Sequence, residues 1–373
     1  MKLGIHIVSF DIPAPPDYGG AVDVFYKAKA LAALGIDVHL HCFQYGRAQQ
    51  NAMLGFCKTV TYYTRKPFYQ SLFSKKPYIV HSRENEVLLE NLQKDRLPIL
   101  FEGVHTSGLA QDSRLSDRIK LLRTHNVEHL YYANLAKAEN NGWKKYFYAF
   151  EAFKLKKYEN RNLALEAIFA ISNNDAHFFA ERNTHVHTIL PFHSVAKPHN
   201  QLGKGTYILY HGNLEVKENQ LALKVLCEKV FPKIASIPIV VAGKKPDLSL
   251  IRLLARFSNV SLLANPSSEK LSDLIEQAHI HLLPTFQDTG IKLKLIHALF
   301  GGRFCLANSL MVTEPILANA CIVENDLAKW PDIILATFQN EFTTEHQNVR
   351  KSLFNTFFDN QTNAQKILDL IAI

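Results

Sequence analysis

The sequence lacks long apolar runs, which argues against membrane-spanning helices. No stretch of the 373-residue chain reaches about 18 uncharged apolar residues, the minimum length of a spanning helix. Residues 1–10 are apolar but few, and they run into Asp11 instead of a small-residue cleavage site, so they indicate a first strand and not a signal peptide. We therefore expect the protein to stay in the cytoplasm.

Cysteine is scarce as well. The chain has five cysteines, an odd number, and they are widely spaced in mostly apolar contexts. A disulfide framework or a zinc site needs cysteines in pairs at characteristic spacings. We therefore expect reduced, buried thiols at Cys42, Cys57, Cys227, Cys305 and Cys321.

Two ligand-binding patterns are missing. No G-x-G-x-x-G joins a strand to a helix, since Gly203-Lys204-Gly205 precedes a strand and lacks the third glycine, and this argues against an oxidoreductase. Three histidine pairs lie on one face of a predicted strand: His39/His41, His185/His187 and His279/His281. No carboxylate or cysteine accompanies these pairs at ligand spacing, so we expect no metal.

Length and charge set broad limits on function. With 47% apolar and 20% charged residues the chain is an ordinary globular one, and its length predicts about two domains. The net charge of +8 is uneven, because residues 1–200 contain 25 Lys and Arg against 18 Asp and Glu, and the remainder 17 against 16. The first half therefore suits a phosphorylated substrate, an anionic membrane or a nucleic acid, unless the excess has no specific partner. The sequence contains no recognised nucleic-acid-binding module, so we do not expect a nucleic acid as a partner.

Strands and helices alternate in the first half of the chain. The predicted strands are residues 2–10, 37–43, 97–101, 119–123 and 167–171. Residues 20–34 have helical periodicity and end at Gly35, which makes a βαβ opening. Ser172 and Asn173 are good caps for a further helix that runs to about residue 182.

A polar segment with Pro and Gly, residues 191–205, separates this series from a second one. The second series predicts strands at 207–210, 237–242, 260–263, 280–283, 303–306 and 320–323, and helices at 218–230, 248–257, 268–278 and from Gly290 onward. Such alternation implies parallel sheets covered on both faces. We therefore predict an α/β fold of two Rossmann-like domains facing a cleft, residues 1–195 and 206–350, and a C-terminal helix at 351–373 that can pack back toward the first domain.

Two glycine-containing segments are candidate phosphate sites. Gly19 and Gly20 begin the first helix, and Gly290 begins a later one. Glycine lets the backbone approach a phosphate closely, and the free N–H groups and positive dipole end of a helix favour an anion. Lys292 and Lys294 add cations, but they lie about 200° apart on a helix, so we expect only one to reach a phosphate unless the other lies in an unwound first turn. The alternatives are a plain strand-to-helix turn and lysines on an exposed helix face.

A polar group follows the strand predicted at residues 119–123. His125 closes that strand, and functional groups of α/β folds lie at the carboxyl ends of strands. A neutral histidine can orient a hydroxyl or shuttle a proton near pH 7, and a structural role is the alternative. Arg123, Asn126 and Glu128 are candidate contacts to an acceptor or a donor.

Two segments of the first half combine aromatic and basic residues. Residues 143–161 do so at helical spacing, and residues 62–76 do so in a region without clear periodicity. Either segment could lie in a membrane interface. For residues 143–161 we expect the commoner outcome, in which the aromatic stripe packs into the first domain with the lysines outside.

Taken in order, the motifs resemble those of GT4-type glycosyltransferases, which are retaining enzymes of GT-B architecture that use nucleoside-diphosphate sugars. The resemblance covers nearly the whole chain. It rests on residues 15–21 (PPDYGGA), 123–128 (RTHNVE), 171–175 (ISNND), 211–214 (HGNL), 240–243 (VVAG) and 290–299 (GIKLKLIHAL). Retaining GT-B enzymes generally need no metal, and the chain has no D-x-D motif.

The resemblance implies roles for individual residues. The matching histidine of the family lies near the transferred sugar, which makes His125 the candidate catalytic residue. Gly212 matches a glycine beside the nucleotide, and Asn213 and Lys217 stand near positions where many relatives hold the donor diphosphate with arginine and lysine. The implied donor-binding residues are Gly19, Gly20, Gly212, Asn213, Lys217, Asp288, Thr289, Gly290, Ile291, Lys292, Lys294 and His297. The implied acceptor-binding residues are Arg123, Asn126 and Glu128.

One pair of positions departs from the family. GT4 enzymes carry two glutamates eight positions apart, the first for the donor sugar and the second for the nucleotide ribose, and here Thr289 and His297 stand there. A carboxylate accepts two ribose hydroxyls, whereas a histidine accepts one when neutral and none when protonated. Asp288 is a candidate replacement carboxylate.

Two functional hypotheses follow. The first is a retaining glycosyltransferase, of hexosyltransferase type, that moves a sugar from a nucleoside diphosphate to a cell-surface glycan or lipid-linked acceptor. It would work in polysaccharide biosynthesis, in the cytoplasm and peripherally at the inner face of the membrane. The second is a catalytically inactive GT-B homologue that acts as a partner or scaffold protein.

Overall fold

The computed structural model describes residues 3–71, 74–161, 165–286 and 292–371, which fall into two compact units. Within those ranges, unit 1 contains residues 3–194 and 357–371, and unit 2 contains residues 195–286 and 292–356. Each unit has its own sheet and its own hydrophobic core.

Unit 1 is built on a parallel sheet. Its strands are β1 (Gly4–Ser9), β2 (Asp37–Gln44), β3 (Thr59–Thr64), β4 (Ile99–Glu102), β5 (Lys120–Arg123), β6 (Ala167–Ala170) and β7 (Val186–Thr188). They lie in the order β3-β2-β1-β4-β5-β6-β7, and all pairs are parallel. The order reverses between β1 and β4, which is the point at which open α/β sheets bind ligands.

Helices cover both faces of this sheet. The helices before residue 194 are α1 (Gly19–Ala33), α2 (Tyr78–His81), α3 (Glu86–Leu92), α4 (Glu128–Ala138), α5 (Gly142–Glu159) and α6 (Asn173–Ala180). Alternate residues of β1 serve opposite cores, since Ile7 packs with Leu31 of α1 and Val8 packs with Leu88 of α3. The first helix is followed by Gly35, whose φ of +83° suits glycine.

Unit 2 repeats the arrangement. Its strands are β8 (Ile208–Asn213), β9 (Ile239–Lys244), β10 (Val260–Ala264), β11 (Ile280–Leu283), β12 (Phe304–Ala307) and β13 (Ile322–Val323). They are parallel in the order β10-β9-β8-β11-β12-β13, with the reversal between β8 and β11. The helices are α7 (Lys217–Lys229), α8 (Leu248–Leu254), α9 (Ser268–Gln277), α10 (Leu293–Gly301), α11 (Trp330–Gln339) and α12 (Thr344–Leu353).

The last helix, α13 (Asn360–Ile371), belongs to unit 1. Ala364 and Ile367 of this helix are fully buried in the same core as Ile7 and Leu31. Asn360 Nδ2 also donates a hydrogen bond of 2.8 Å to the carbonyl oxygen of His193. The chain therefore returns to unit 1 after completing unit 2.

The predicted α/β fold with two parallel-sheet domains is confirmed, and most of its elements lie within a few residues of their expected bounds. The Ser172 side chain caps α6, as expected, by accepting a hydrogen bond of 3.2 Å from the amide of Asp175. The expectation of an irregular segment from residue 62 was wrong, because Tyr62 and Tyr63 belong to β3. All five cysteines are free thiols, and four of them are buried. None of the described helices is long and apolar enough to cross a bilayer.

Candidate functional site

The candidate site of unit 1 is a cluster of buried charges at the carboxyl edge of its sheet. We call it the buried charge cluster, and its members are Asp23, Lys27, Glu102, Arg123 and His125. The first two lie one turn apart on α1, while Glu102 ends β4 and Arg123 ends β5. The switch point of the sheet therefore brings a helix face and two strand ends together.

Ion pairs join the members of this cluster. Lys27 Nζ lies 2.9 Å from Asp23 Oδ2 and 2.7 Å from Glu102 Oε1. Arg123 donates to both carboxylate oxygens of Asp23, at 3.0 and 2.9 Å. Burial alone would raise the pKa of Asp23, but the charges of Arg123 and Lys27 outweigh it and hold that pKa far below its ordinary value.

His125 is held by one carboxylate and has one ring nitrogen to spare. Its Nε2 lies 3.0 Å from Glu102 Oε2 and 3.9 Å from Asp23 Oδ2. Because a carboxylate only accepts, this contact assigns the proton of a neutral ring to Nε2 and leaves Nδ1 as an acceptor. Nδ1 is buried and has no hydrogen-bond partner within the described residues. The ring can therefore accept a hydrogen bond from a hydroxyl group.

Arg123 does not have the role expected from the sequence. Its side chain is fully buried. Its guanidinium donates hydrogen bonds to the Asp23 carboxylate and to the carbonyl oxygens of Ala170, Ile189 and Leu190. The expected contact with an acceptor is therefore wrong, because no donor face of the guanidinium reaches solvent. Arg123 instead ties the ends of the strands to α1.

Gly19 and Gly20 form the start of α1, as expected. The first N–H groups of a helix have no partner within it, so they are available to an anion. A Cβ atom on Gly20 would lie 2.6 Å from Phe10 Cζ, so this glycine is also required by the packing of the Phe10 ring. That ring contacts the rings of His105 and His125, at centroid distances of 5.2 and 5.3 Å.

Asn126 and Glu128 interact with each other. Glu128 is buried, and the Asn126 side chain hydrogen-bonds its carboxyl group. Burial, helped by the nearby charge of Glu159, raises the pKa of Glu128 to about 8. At neutral pH Glu128 is therefore a protonated acid, which can donate a hydrogen bond as well as accept one.

In unit 2 the predicted donor-binding residues lie around the end of β8. Gly212 precedes Asn213, whose side-chain oxygen accepts a hydrogen bond of 3.1 Å from the Glu215 amide and so closes a turn. Asn213 therefore has a local structural contact, although its side chain is exposed. Lys217 is the first residue of α7 and is also exposed, with Nζ 3.5 Å from Gln220 Oε1.

Lys294 is a partly buried cation at this edge. Its Nζ lies 3.1 Å from Asn219 Oδ1, 3.4 Å from the Pro284 carbonyl oxygen and 5.7 Å from the centre of the Tyr210 ring. Burial lowers the pKa of Lys294 to about 8, although the charge of Glu218 acts in the opposite direction. Lys292 is the N-cap of α10, one residue before the first helical residue. Lys292 therefore lies outside the helix, so the separation of about 200° expected for two helical residues does not apply to this pair.

Unit 2 also contains three neutral histidines. Burial lowers the pKa values of His211, His281 and His297, so all three are neutral at pH 7. Both ring nitrogens of His211 are buried without a hydrogen-bond partner in the described part of unit 2. Burying a polar atom without a hydrogen-bond partner costs free energy. These nitrogens can therefore form further hydrogen bonds. His297, being neutral, can accept one hydrogen bond where the family has a carboxylate.

Four of the predicted donor-binding residues cannot be placed. Asp288, Thr289, Gly290 and Ile291 lie outside the described residues. The helix expected from Gly290 is seen from Leu293 onward.

Sequence reasoning missed several residues of both sites. In unit 1 it missed Asp23, Lys27 and Glu102, although the first two interrupt the apolar stripe of α1 one turn apart and the third follows a predicted strand. In unit 2 it missed the pair formed by Glu218 and Thr285, whose hydroxyl donates to the Glu218 carboxylate. Charged residues within an apolar stripe were the available signal.

The buried charge cluster has ligand atoms that a metal could use. Asp23, Glu102 and His125 each place one such atom within 4.8 Å of the others. Both carboxylates are already neutralised by Lys27 and Arg123, and a further cation would meet two positive charges. These residues therefore do not fit a divalent cation well.

Comparison with known proteins supports the fold. A glycosyltransferase from Rickettsia africae matches 99% of this chain and 97% of its own with a TM-score of 0.65 at 13% identity. A structure described as trehalose-6-phosphate from E. coli bound with UDP-2-fluoro glucose matches 99% of both chains with a TM-score of 0.65 at 11% identity. The lipopolysaccharide outer core galactosyltransferase WaaB matches 99% of both chains with a TM-score of 0.63 at 11% identity. The chain thus has the GT-B fold of glycosyltransferases.

Sequence comparison gives less information than structural comparison. No protein-family model matches the chain. A Klebsiella pneumoniae protein described as an uncharacterized 44.6 kDa protein in the cps region is 27% identical over 328 residues, which are 82% of this chain and 83% of that protein. The similarity extends over most of both proteins.

The buried charge cluster predicts a large effect of Arg123→Met on stability. The substitution leaves Asp23 without its bidentate partner in a dry site, which should cost about 3–5 kcal/mol and lower the midpoint of thermal unfolding by roughly 6–20 °C. The control Arg96→Met breaks the exposed pair with Asp117 and should cost about 1 kcal/mol at most. The double variant Asp23→Asn/Arg123→Met should lose less stability than the two single losses combined. Equal midpoints for the Arg123→Met and Arg96→Met variants would refute this role of the cluster.

The raised pKa of Glu128 predicts that the free energy of unfolding depends on pH. Between pH 4.5 and about 8 the folded state holds a proton on Glu128 that the unfolded state has released, so this residue makes stability fall as pH rises. The variant Glu128→Gln should therefore gain stability relative to the wild type as pH rises through this window, by up to about 1.4 kcal/mol per pH unit, and should show no gain below it. Denaturant unfolding at a series of pH values measures the difference. The exposed Glu90→Gln variant is the control, and a Glu128→Gln difference that is flat or grows on acidification contradicts the prediction.

Proposed function

We propose that this chain is a retaining glycosyltransferase of the GT4 type, which transfers a hexose from a nucleoside-diphosphate sugar to a cell-surface glycan or lipid-linked acceptor. The single observation that carries the proposal is the group at the edge of unit 2, where Lys294 and the unpaired nitrogens of His211 lie beside the strand-order reversal. A cation and neutral hydrogen-bonding groups at this position suit a diphosphate and its sugar. The GT-B fold is consistent with this use.

The donor would be bound by unit 2. Lys294, which is positively charged below about pH 8, would stabilise the charge that develops on the leaving diphosphate. His297 would accept one ribose hydroxyl, and His211 would contact the diphosphate or the sugar. Lys292, Gly212 and Asn213 would complete the donor site, with Asp288, Thr289, Gly290 and Ile291 as further proposed contacts. Two solved neighbours support this general kind of ligand, since one is described with UDP-2-fluoro glucose and another with UDP and α-GlcNAc-glycerol.

Unit 1 would position the sugar and bind the acceptor. His125 would accept a hydrogen bond from a sugar hydroxyl through Nδ1, because Glu102 holds Nε2. A cavity of about 620 Å³ in the same unit is lined by polar residues, Arg65, Lys66, Lys76 and Glu84 among them, and would admit a hydroxylated or anionic acceptor. Asn126 and Glu128 remain proposed acceptor contacts. We propose that no metal takes part, because the two carboxylates of the buried charge cluster are already paired with cations.

One observation favours the second hypothesis of an inactive homologue. His297 occupies the position of a ribose-binding carboxylate of the family and offers only one acceptor atom. Binding of a donor without turnover is the property that would distinguish a scaffold protein from an enzyme.

The test of the proposed function is a donor survey on the full chain. Sugars of UDP, GDP, ADP and dTDP are compared by thermal shift and by release of nucleoside diphosphate, and we expect one series to raise the unfolding midpoint and to be turned over. His125→Ala should lower turnover by about 100-fold or more while the donor still raises the midpoint. Retention at the anomeric carbon is read by NMR of the product, and EDTA should change neither rate nor affinity.

The exposed His185→Ala variant is the matched control and should keep full turnover. Stabilisation by a donor without turnover would favour the scaffold hypothesis. Full activity of the His125→Ala variant would refute the catalytic assignment, and the absence of any nucleotide effect would refute donor binding.

The lowered pKa of Lys294 predicts that the affinity for the donor depends on pH. Because its pKa is about 8, Lys294 loses its charge as pH rises through this value, and the affinity for the donor should fall over the same range. Lys294→Met should bind the donor roughly tenfold or more weakly at pH 7 and should lack this pH dependence. Titration calorimetry between pH 7 and pH 9 measures both effects. Lys270→Met, on the exposed face of α9, is the control, and an unchanged slope in Lys294→Met would rule out the assignment.

A further inference from the structure

Helix α5 of unit 1 turns its aromatic stripe toward solvent. Trp143, Tyr146, Phe150 and Phe153 are 90%, 79%, 55% and 55% exposed. Their spacing of three, four and three residues places them along one face of the helix. The sequence-based expectation that this stripe packs into the core was therefore wrong.

The opposite face of α5 fixes this orientation. Glu151 accepts a hydrogen bond of 2.6 Å from the amide of Tyr78, and Glu159 accepts one of 2.7 Å from the amide of Glu128. Tyr158 Oη lies 3.0 Å from Ser107 Oγ, and Leu155 is fully buried. Rotation of the helix to bury its aromatic rings would break all these contacts, so their exposure is built into the fold.

The second aromatic segment extends the same surface. Phe68 and Tyr69 are 47% and 67% exposed, and the Phe68 ring contacts the Phe147 ring of α5 edge-on at a centroid distance of 5.6 Å. We call the following six exposed side chains the aromatic surface: Phe68, Tyr69, Trp143, Tyr146, Phe150 and Phe153. A soluble protein rarely exposes so many large rings together unless they meet a partner.

Cations border the aromatic surface. The only acidic residues of α5, Glu151 and Glu159, are buried and hydrogen-bonded, so the exposed charges of the helix are all positive. These are Lys144, Lys145, Lys156 and Lys157. Next to Phe150 and Phe153 a cavity of about 340 Å³ is also lined by Lys75, Lys157 and Arg161. Lys157 Nζ lies 4.4 Å from the centre of the Phe153 ring, so cation and aromatic group adjoin each other directly.

This combination distinguishes between partners. A second copy of the chain would place these lysines against the same lysines, and the cores of protein interfaces are depleted of charge. A bilayer interface has the complementary properties, because tryptophan and tyrosine lie at the level of the headgroups and lysine or arginine binds anionic lipids. The charge therefore selects an anionic membrane and disfavours self-association.

We propose that the aromatic surface binds an anionic phospholipid bilayer, with Trp143 and Phe150 inserted at the headgroup level. The cavity beside them receives a lipid phosphate between Lys75, Lys157 and Arg161. The proposal depends only on unit 1 and holds whether or not the chain is a transferase. It makes the protein peripheral at the membrane.

The test is vesicle binding by the full chain. Co-sedimentation with phosphatidylcholine vesicles is compared with and without phosphatidylglycerol, and binding should require the anionic lipid and weaken with salt. The variant Trp143→Ser/Tyr146→Ser/Phe150→Ser and the variant Lys144→Glu/Lys145→Glu/Lys157→Glu should each bind at least about tenfold more weakly. The matched control Lys224→Glu/Lys229→Glu/Lys233→Glu makes the same charge change on exposed lysines of unit 2 and should bind as the wild type does.

Tryptophan fluorescence gives a second readout. The chain has two tryptophans, and Trp330 is fully buried, so a blue shift on adding anionic vesicles should come from Trp143 and vanish in Trp143→Phe. Unchanged thermal midpoints would show that the exposed substitutions leave the fold intact. The proposal is overturned if the wild type ignores anionic vesicles, if both triple variants bind as tightly as the control, or if sedimentation shows a dimer that the aromatic variant dissociates.

Discussion

The pairing of Asp23 and Glu102 with Arg123 and Lys27 is the constraint on which the first unit depends. All four charges are out of water, so each is stable only while its partner is in place. Two of them lie on α1 and two lie at the ends of β4 and β5, so the network sets where the helix begins relative to the strands. The position of His125 follows, because Glu102 is shared between Lys27 and the imidazole. A structural ion network thereby orients the group that we propose to be catalytic.

The two units use the carboxyl edges of their sheets differently. In unit 1 the charges at the switch point satisfy one another, which makes a rigid frame, and Nδ1 of His125 is left as an acceptor. In unit 2 the corresponding edge contains Lys294 and the unpaired imidazole of His211, which can form further hydrogen bonds. Such a division suits the proposed function, in which one unit positions reactants and the other neutralises a diphosphate. The aromatic surface of unit 1 adds a means of bringing that frame to a membrane.

Much of the fold could be predicted because its signals are local. The alternation of apolar strands with periodic helices, Gly35 at the end of α1 and the cap at Ser172 are each read from a few neighbouring residues, and all are seen in the structure. The edge strand β3 was missed, because its residues are only partly buried and carry a weak apolar signal. The positions of some candidate site residues could be predicted too, since His125 follows a strand end and Gly20 and Lys294 lie in the first turns of helices.

The sequence by itself determined the two-domain α/β fold and the strand ends at which candidate site residues lie, because hydrophobic periodicity depends on backbone geometry and burial alone. Only the tertiary structure decided the partners of those groups. Arg123 is buried because residues 100 positions apart meet at one switch point, and no local pattern encodes that meeting. The stripe of α5 is exposed because buried contacts of Glu151 and Glu159 hold the other face inward. Periodicity identifies an apolar face, but long-range packing determines whether anything covers it.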